Sequence, residues 1–299
     1  MAKAVEANEA EFLLALGRAG GGEERDDEHV QWTIGGSPIG YHNAVVRASV
    51  DASHADEMIV ASQALMRTYG VPGSWHVGPS MRPDDLGPRL LARGFEGGPE
   101  PGMAAELDAM PSVNMPAGLE IARLCSDGEL DEYESVLADG FGEGPPEAAW
   151  VCEMYRRIGL DDDTWRHFVG RIDGSAVACA TTFFASGVVG LYFVCSSPVA
   201  RRRGVGAAIS RAALIDAGDD GMRVGVLGSS PMGQRVYERL GFRTVCDVHV
   251  YEWSPARDER GRPSFGAVTQ GSFRNAGPGE CCAWPGVCKD ARCGRSQSG

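Results

Sequence analysis

Between Val188 and Phe242 the chain runs through a strand, an arginine- and glycine-rich turn, a helix, a second strand and a short helix, and this order limits its possible folds more than any other feature. The turn is Pro198-Val-Ala-Arg-Arg-Arg-Gly-Val-Gly-Ala-Ala208, directly after the apolar, β-branched and aromatic run Val188 to Val194. Gly204 and Gly206 let backbone approach a ligand where a Cβ would clash. The amides of Arg203, Gly204, Val205, Gly206 and Ala207 open a helix that continues through Ile209, Ala212, Ala213 and Leu214. Free N–H groups and the positive end of the helix dipole then converge on one spot, which is how a helix start holds phosphate. Arg201, Arg202 and Arg203 add charge-assisted donors, at least one of them free for phosphate oxygens and the others facing solvent.

Two other glycine motifs fail here. A dinucleotide fingerprint needs a third glycine where Ile209 stands, and a Walker loop needs Gly-Lys-Ser or Gly-Lys-Thr. The hexad Arg201-Arg-Arg-Gly204-Val-Gly206 instead resembles the signature of the GNAT superfamily of acyl-CoA-dependent N-acetyltransferases, which is Arg or Gln, two residues, Gly, any residue, then Gly or Ala. The likeness extends to Tyr237-Glu-Arg-Leu-Gly-Phe242, because members carry a tyrosine four residues before this Gly-Phe. In them it protonates the departing CoA thiolate. Strand Met222 to Gly228 precedes it, with Ser230 expected as N-cap and Pro231 at the first helical position.

Upstream, Leu119 to Arg123 alternates as a strand, while Glu129 to Ala138 and Pro146 to Arg157 have helical apolar spacing. Trp165 to Ile172 and Ala176 to Phe184 are strands joined at Asp173-Gly174, a strong hairpin signal. The expected fold class is α/β (α+β), with two tandem GNAT-like domains, each a mixed central sheet flanked by helices. The second, 117–254, is the catalytic one.

The first, 41–110, repeats the pattern in worn form. Tyr41 to Val50 alternates like a strand, Ala55 to Tyr69 is helical, Gly73 to Val77 is a strand, and Pro83 to Arg93 is a helix ending at Gly94-Phe95. Where the later half has arginines and glycines, this half has Asp51-Ala-Ser-His-Ala-Asp56, whose acids repel phosphate, and Leu90 stands where Tyr237 stands. It is expected to be non-catalytic. Residues 1–40 are an N-terminal helix (1–19) and a glycine- and charge-rich loop (Gly20 to His29), and 111–116 is a linker with two prolines.

Of nine cysteines, Cys125, Cys152, Cys179, Cys195 and Cys246 are scattered singly, which favours reduced thiols. Cys281, Cys282, Cys288 and Cys293 crowd a Gly-, Pro- and Ser-rich tail, 255–299, expected to be disordered. Their spacing does not match paired zinc-ligand intervals, and no metal is expected. The formal net charge of −13 disfavours nucleic acid and anionic membrane as partners and suits a cationic amine. No stretch has membrane-span length, and the N-terminus has no signal-peptide core, so a cytoplasmic location is expected. Monomer and homodimer both remain open.

The resemblance implies acetyl-CoA as cosubstrate and direct attack of a neutral amine on its thioester within a ternary complex. A splayed strand would pair with the pantetheine arm through Val194, Cys195 and Ser196, and the Val194 amide would donate to the carbonyl oxygen. Tyr237, with an ordinary pKa of about 10, is protonated at neutral pH, as a general acid must be. Ser230 stands where many members have asparagine and would bond the CoA arm; Gly233 replaces a common alanine and would make room for cofactor. Many relatives place a glutamate on the binding strand, but Val188 to Val194 has none, so the base stays open among ordered water, His249, Asp247 and Glu143. Cys195 at the strand end is a candidate acyl carrier. The acceptor pocket is expected near Phe141 to Trp150, with Glu143 and Glu147 suiting a cation, and with contributions from the strand after Phe242 and the first half. The competing reading is a CoA-binding sensor or scaffold without turnover.

Overall fold

A computed structural model describes residues 1–255. The tail cysteines, and the disorder expected of the tail beyond 255, lie outside the described residues. In chain order the elements are α1 (Ala2–Gly20), β1 (Glu23–Asp26), β2 (Val30–Ile34), β3 (Ala44–Ala48), α2 (Ala55–Tyr69), β4 (Gly73–Val77), α3 (Leu86–Ala92) and β5 (Glu96–Glu106). There follow β6 (Leu119–Arg123), α4 (Asp127–Gly140), α5 (Pro145–Ile158), β7 (Trp165–Ile172), β8 (Ser175–Ala185) and β9 (Val188–Ser196). The last elements are α6 (Val205–Asp219), β10 (Val224–Gly228), α7 (Gln234–Arg239) and β11 (Arg243–Trp253).

All strands join one 11-stranded mixed sheet in the order β1-β2-β3-β4-β11-β5-β10-β9-β8-β7-β6. The final strand of each half lies inside the other half. β11 runs antiparallel between β4 and β5, and β5 runs antiparallel between β11 and β10. Two arms of one GNAT-like pattern are therefore stitched together by an exchange of strands, and both fall within a single compact unit.

Several elements depart from their expected form. Gly20 to His29 is not a loop, because Glu23–Asp26 pairs with Val30–Ile34 as a hairpin. Its charge is that of a sheet edge: Arg18 pairs with Glu24 at 2.6 Å and Arg47 with Asp26 at 3.1 Å. The strand expected from Tyr41 to Val50 shortens to Ala44–Ala48 behind a 3₁₀ turn, Gly40–His42. β5 has Gly97, Gly98, Pro99 and Pro101, a composition that argues against a central strand. It is tolerated because β10 flanks β5 only from Gly102 onward, so both prolines lie where one side of the strand carries no ladder.

α1, α4 and α5 cover one face of the sheet. Phe12 of α1 stacks on Tyr192 at 3.6 Å and tilts against Trp165 and Phe193 of the later arm, while Ala44 and Val46 of the earlier arm join the same cluster. Truncating such a buried ring to alanine costs about 3–5 kcal/mol, which makes α1 a rivet between the arms. On the other face, α6 buries Ile209, Ala213 and Leu214 over Val189, Leu191 and Met103, and α2 buries Ile59 and Met66 over Trp75.

Candidate active site

β9 and β10 are parallel neighbours, but their ladder holds only Gly225↔Val189 and Val226↔Gly190. Beyond it β9 runs on to Ser196 and β10 to Gly228 without pairing, so the sheet opens between them. On its other side β9 stays paired with β8, through Cys179↔Cys195 and Ala178↔Ser196, with a bulge between Cys179 and Thr181. The bulge sits at Phe193, a non-glycine residue at φ 50. Such a conformation is costly for a bulky side chain, and its consequence here is to turn Val194 toward the α6 face while Phe193 and Cys195 enter the α4–α5 core.

The chain leaves β9 through a 3₁₀ turn, Pro198–Ala200, and enters α6 from Gly204, whose φ of 84 requires glycine. The first full helical bond is Ala208 N–H to Gly204 O at 3.0 Å, which leaves the amides of Val205, Gly206 and Ala207 pointing out of the helix end. A Cβ at Gly206 would meet only Ser196 Oγ, at 3.5 Å. The fold itself does not need glycine there; the open space above it is where a ligand would lie.

The three arginines divide differently from expectation. Arg201, itself exposed, donates to Ser196 O and Gly140 O, both at 3.3 Å, tying the end of β9 to the end of α4. Arg202, held at φ 61, and Arg203 are exposed and make no ion pair among the described residues. They are the side chains at liberty to meet an anion.

Across the opening, Ser230 accepts from Gly233 N–H at 3.2 Å, and Gln234 N–H bonds Ser230 O at 3.2 Å. Ser230 thus caps a turn carrying Pro231, but α7 proper begins three residues later than expected, at Gln234. Gly233 makes room for a side chain rather than for cofactor, since a Cβ there would lie 3.0 Å from Tyr237 Cε2. The Tyr237 ring packs edge-on to Phe242 at 5.9 Å, and its hydroxyl has no hydrogen-bond partner among the described residues. Burial pushes its pKa up to about 12, so it stays protonated well above neutrality.

The other candidates part company. Cys195 is 4% exposed, and its Sγ donates to Val136 O at 3.5 Å inside the α4 side of the core, away from the opening. An acyl carrier needs access that this thiol lacks. Asp247 and His249 lie on β11, three strands from β9. By alternation with buried Val248, which packs with Val5 of α1, they point to the opposite face. Glu143 lies in the α4–α5 loop, where its N–H donates to Glu147 Oε2 at 2.9 Å.

Three features had no sequence signal. The bulge at Phe193 carries no glycine to mark it. In the first arm, Arg82 donates its N–H to Ala48 O at 2.9 Å and accepts from Val50 N–H at 3.3 Å, filling the slot beside β3 that stays open beside β9. His42 approaches Phe193, with ring centroids 6.0 Å apart, through a tertiary contact between residues 151 positions apart in the chain.

A mixed sheet that opens between two parallel strands, beside a glycine-led helix start, is the α/β arrangement that the comparisons with known proteins address. Residues 130–242 match the acetyltransferase (GNAT) family. Among solved structures, a GCN5-related N-acetyltransferase from Kribbella flavida is similar at 16% identity and TM-score 0.64, over 83% of this chain and 95% of that one. A conserved protein of unknown function from Staphylococcus epidermidis is similar at 14% identity and TM-score 0.62, over 78% and 94%. Both likenesses are of fold, and both span the two arms. No curated protein sequence matches the chain. No helix among the described residues is long and apolar enough to cross a membrane.

Proposed function

We propose that the chain transfers an acetyl group from acetyl-CoA to a primary amine, by direct attack of the neutral amine within a ternary complex. The observation that carries this reading is the conjunction of an unpaired β9 edge with the exposed α6 amides and two unpartnered arginines. The amides of Val205, Gly206 and Ala207, with Arg202 and Arg203, bind the pyrophosphate. The free edge at Val194, Cys195 and Ser196 pairs with the pantetheine amides, and the Val194 N–H donates to the thioester oxygen as charge builds on it. The amine nitrogen forms the new C–N bond, the C–S bond breaks, and Tyr237 passes its proton to the leaving sulfur. The ammonium proton leaves through water or a carboxylate on the α5 side. The first arm holds no second site in this reading, because the Arg82 segment occupies the equivalent strand edge.

Calorimetric titration with acetyl-CoA tests it. One site per chain is expected for the wild type and none for Gly206→Trp, whose unliganded fold should survive because only Ser196 Oγ lies near. A wild type that binds no acetyl-CoA would overturn the reading, and two sites per chain would overturn the silence of the first arm.

A further inference from the structure

A group of carboxylates stands on the α1–α5 side of the sheet, apart from the cradle. Glu147, 4% exposed, accepts from Glu143 N–H through Oε2 and presents Oε1 at 3.4 Å to His42 Nε2. His42 is 1% exposed, and its Nε2 has no hydrogen-bond partner among the described residues, although its Nδ1 lies 3.4 Å from Ser37 Oγ. Glu252 enters from β11, its Oε1 3.3 Å from where a Cβ of Gly40 would stand, two residues before His42. Trp150 stacks on His42 at 4.8 Å and is fixed by its Nε1–H to Gly36 O at 2.7 Å.

The cluster is short of positive charge. Burial, with repulsion from Glu143 and Glu252, raises the pKa of Glu147; burial and repulsion from Glu143 also raise that of Glu252, against the pull of His76. The burial of His42 holds its pKa down to about 3, so the ring is neutral and does not offset these acids. Three carboxylates, an unpartnered imidazole nitrogen and an indole face form the kind of surroundings in which an ammonium group gains ion-pair, hydrogen-bond and cation–π contacts together. The cluster borders the reaction strand, since His42 packs against Phe193, the residue before Val194.

We propose that Glu143, Glu147 and Glu252, with His42 and Trp150, form the acceptor subsite and select an amine that carries a second positive charge. This inference rests on the acetyltransferase reading. It gives the first arm a role in that reading: it supplies His42, and the exchanged strand supplies Glu252.

Putrescine, butylamine and γ-aminobutyrate share a four-carbon chain and a primary amine but end in a cation, a methyl group and an anion. With acetyl-CoA saturating, thiol release should give kcat/KM in that order, with putrescine ahead of butylamine by about tenfold, as one charge-assisted bond would provide. Glu147→Gln, which keeps an acceptor for the Glu143 N–H, and Glu252→Gln should each shrink that ratio while leaving acetyl-CoA affinity unchanged. Equal kcat/KM for the three amines, a preference for γ-aminobutyrate, or acetyl-CoA binding with no turnover of any of them would overturn the subsite. A chain that binds no acetyl-CoA would instead overturn the reading beneath it.

Discussion

The two arms stop and start their helices in the same way and differ in what lies between. Phe242 N–H bonds Tyr237 O at 3.0 Å at the end of α7, and Phe95 N–H bonds Leu90 O at 3.1 Å at the end of α3, each around a left-handed glycine. Ala208 N–H bonds Gly204 O at 3.0 Å at the start of α6, and Met58 N–H bonds His54 O at 3.1 Å at the start of α2. The backbone pattern has been kept twice. Other positions differ: where the later arm has glycine and arginine the first has aspartate and histidine, where it has Tyr237 the first has the fully buried Leu90, and Arg82 occupies the strand edge beside β3. Two arms can thus share helix caps and apolar packing and still differ in the groups left without partners, because capping and packing depend on backbone geometry and apolar volume alone.

The contrast between Tyr237 and Leu90 should give the largest effect. Leu90 is core, whereas the Tyr237 hydroxyl is unpartnered and held protonated. Tyr237→Phe should keep acetyl-CoA affinity and stability but lower kcat by about 10²–10⁴-fold, the usual range for a general acid. Steady-state thiol release would check it. A kcat within twofold of wild type would mean that Tyr237, like Leu90, only packs.

The arginines sharpen the comparison at a smaller scale. Replacing both Arg202 and Arg203 with alanine should weaken acetyl-CoA binding by at least about tenfold, since each charge-assisted bond is worth roughly 1.5–3 kcal/mol, and the loss should narrow at high salt. Arg201→Ala should act mainly on stability, by about 1 kcal/mol, because its two bonds close the β9–α4 junction. Binding isotherms beside thermal melts separate the two. If Arg201 proved the strongest binder, the division of labour drawn from its hydrogen bonds would be wrong.

Local signals explain what could be read in the sequence. The helix start after Arg201-Arg-Arg-Gly204, the hairpin at Asp173-Gly174 and the helix stop at Gly94-Phe95 each depend on a few adjacent residues, and the structure has each of them. The hairpin β1–β2 has no such signal because a charged edge strand lacks apolar alternation, and β5 has none because its prolines are excusable only once its neighbours are known. The strand exchange is invisible for the same reason: β11 alternates whichever strands flank it. The site followed this division. The helix start after Arg203 is continuous in the chain and legible there, whereas His42 and Glu147 come within 3.4 Å of each other across more than 100 residues, and Glu252 reaches the neighbouring Gly40 from the last strand, with no local signal for either.

The smallest expected effect tests what would keep the first arm silent in the proposed function. Asp56 at the start of α2 pairs with Arg89 at 3.1 Å and with Arg93 at 3.8 Å, and it is half exposed. Such pairs are worth less than about 1 kcal/mol, so Asp56→Asn should shift the melting temperature by only a few degrees or less. Its value lies in the binding stoichiometry. If charge alone silenced this arm, removing an acid from the helix start would begin to restore a phosphate site and a weak second acetyl-CoA would appear in the titration. If the Arg82 segment is what silences it, the count stays at one, because Ala48 O and Val50 N–H remain engaged whatever the charge on α2. The second outcome is expected, since a pantetheine arm needs a free strand edge before a helix end is of any use to it.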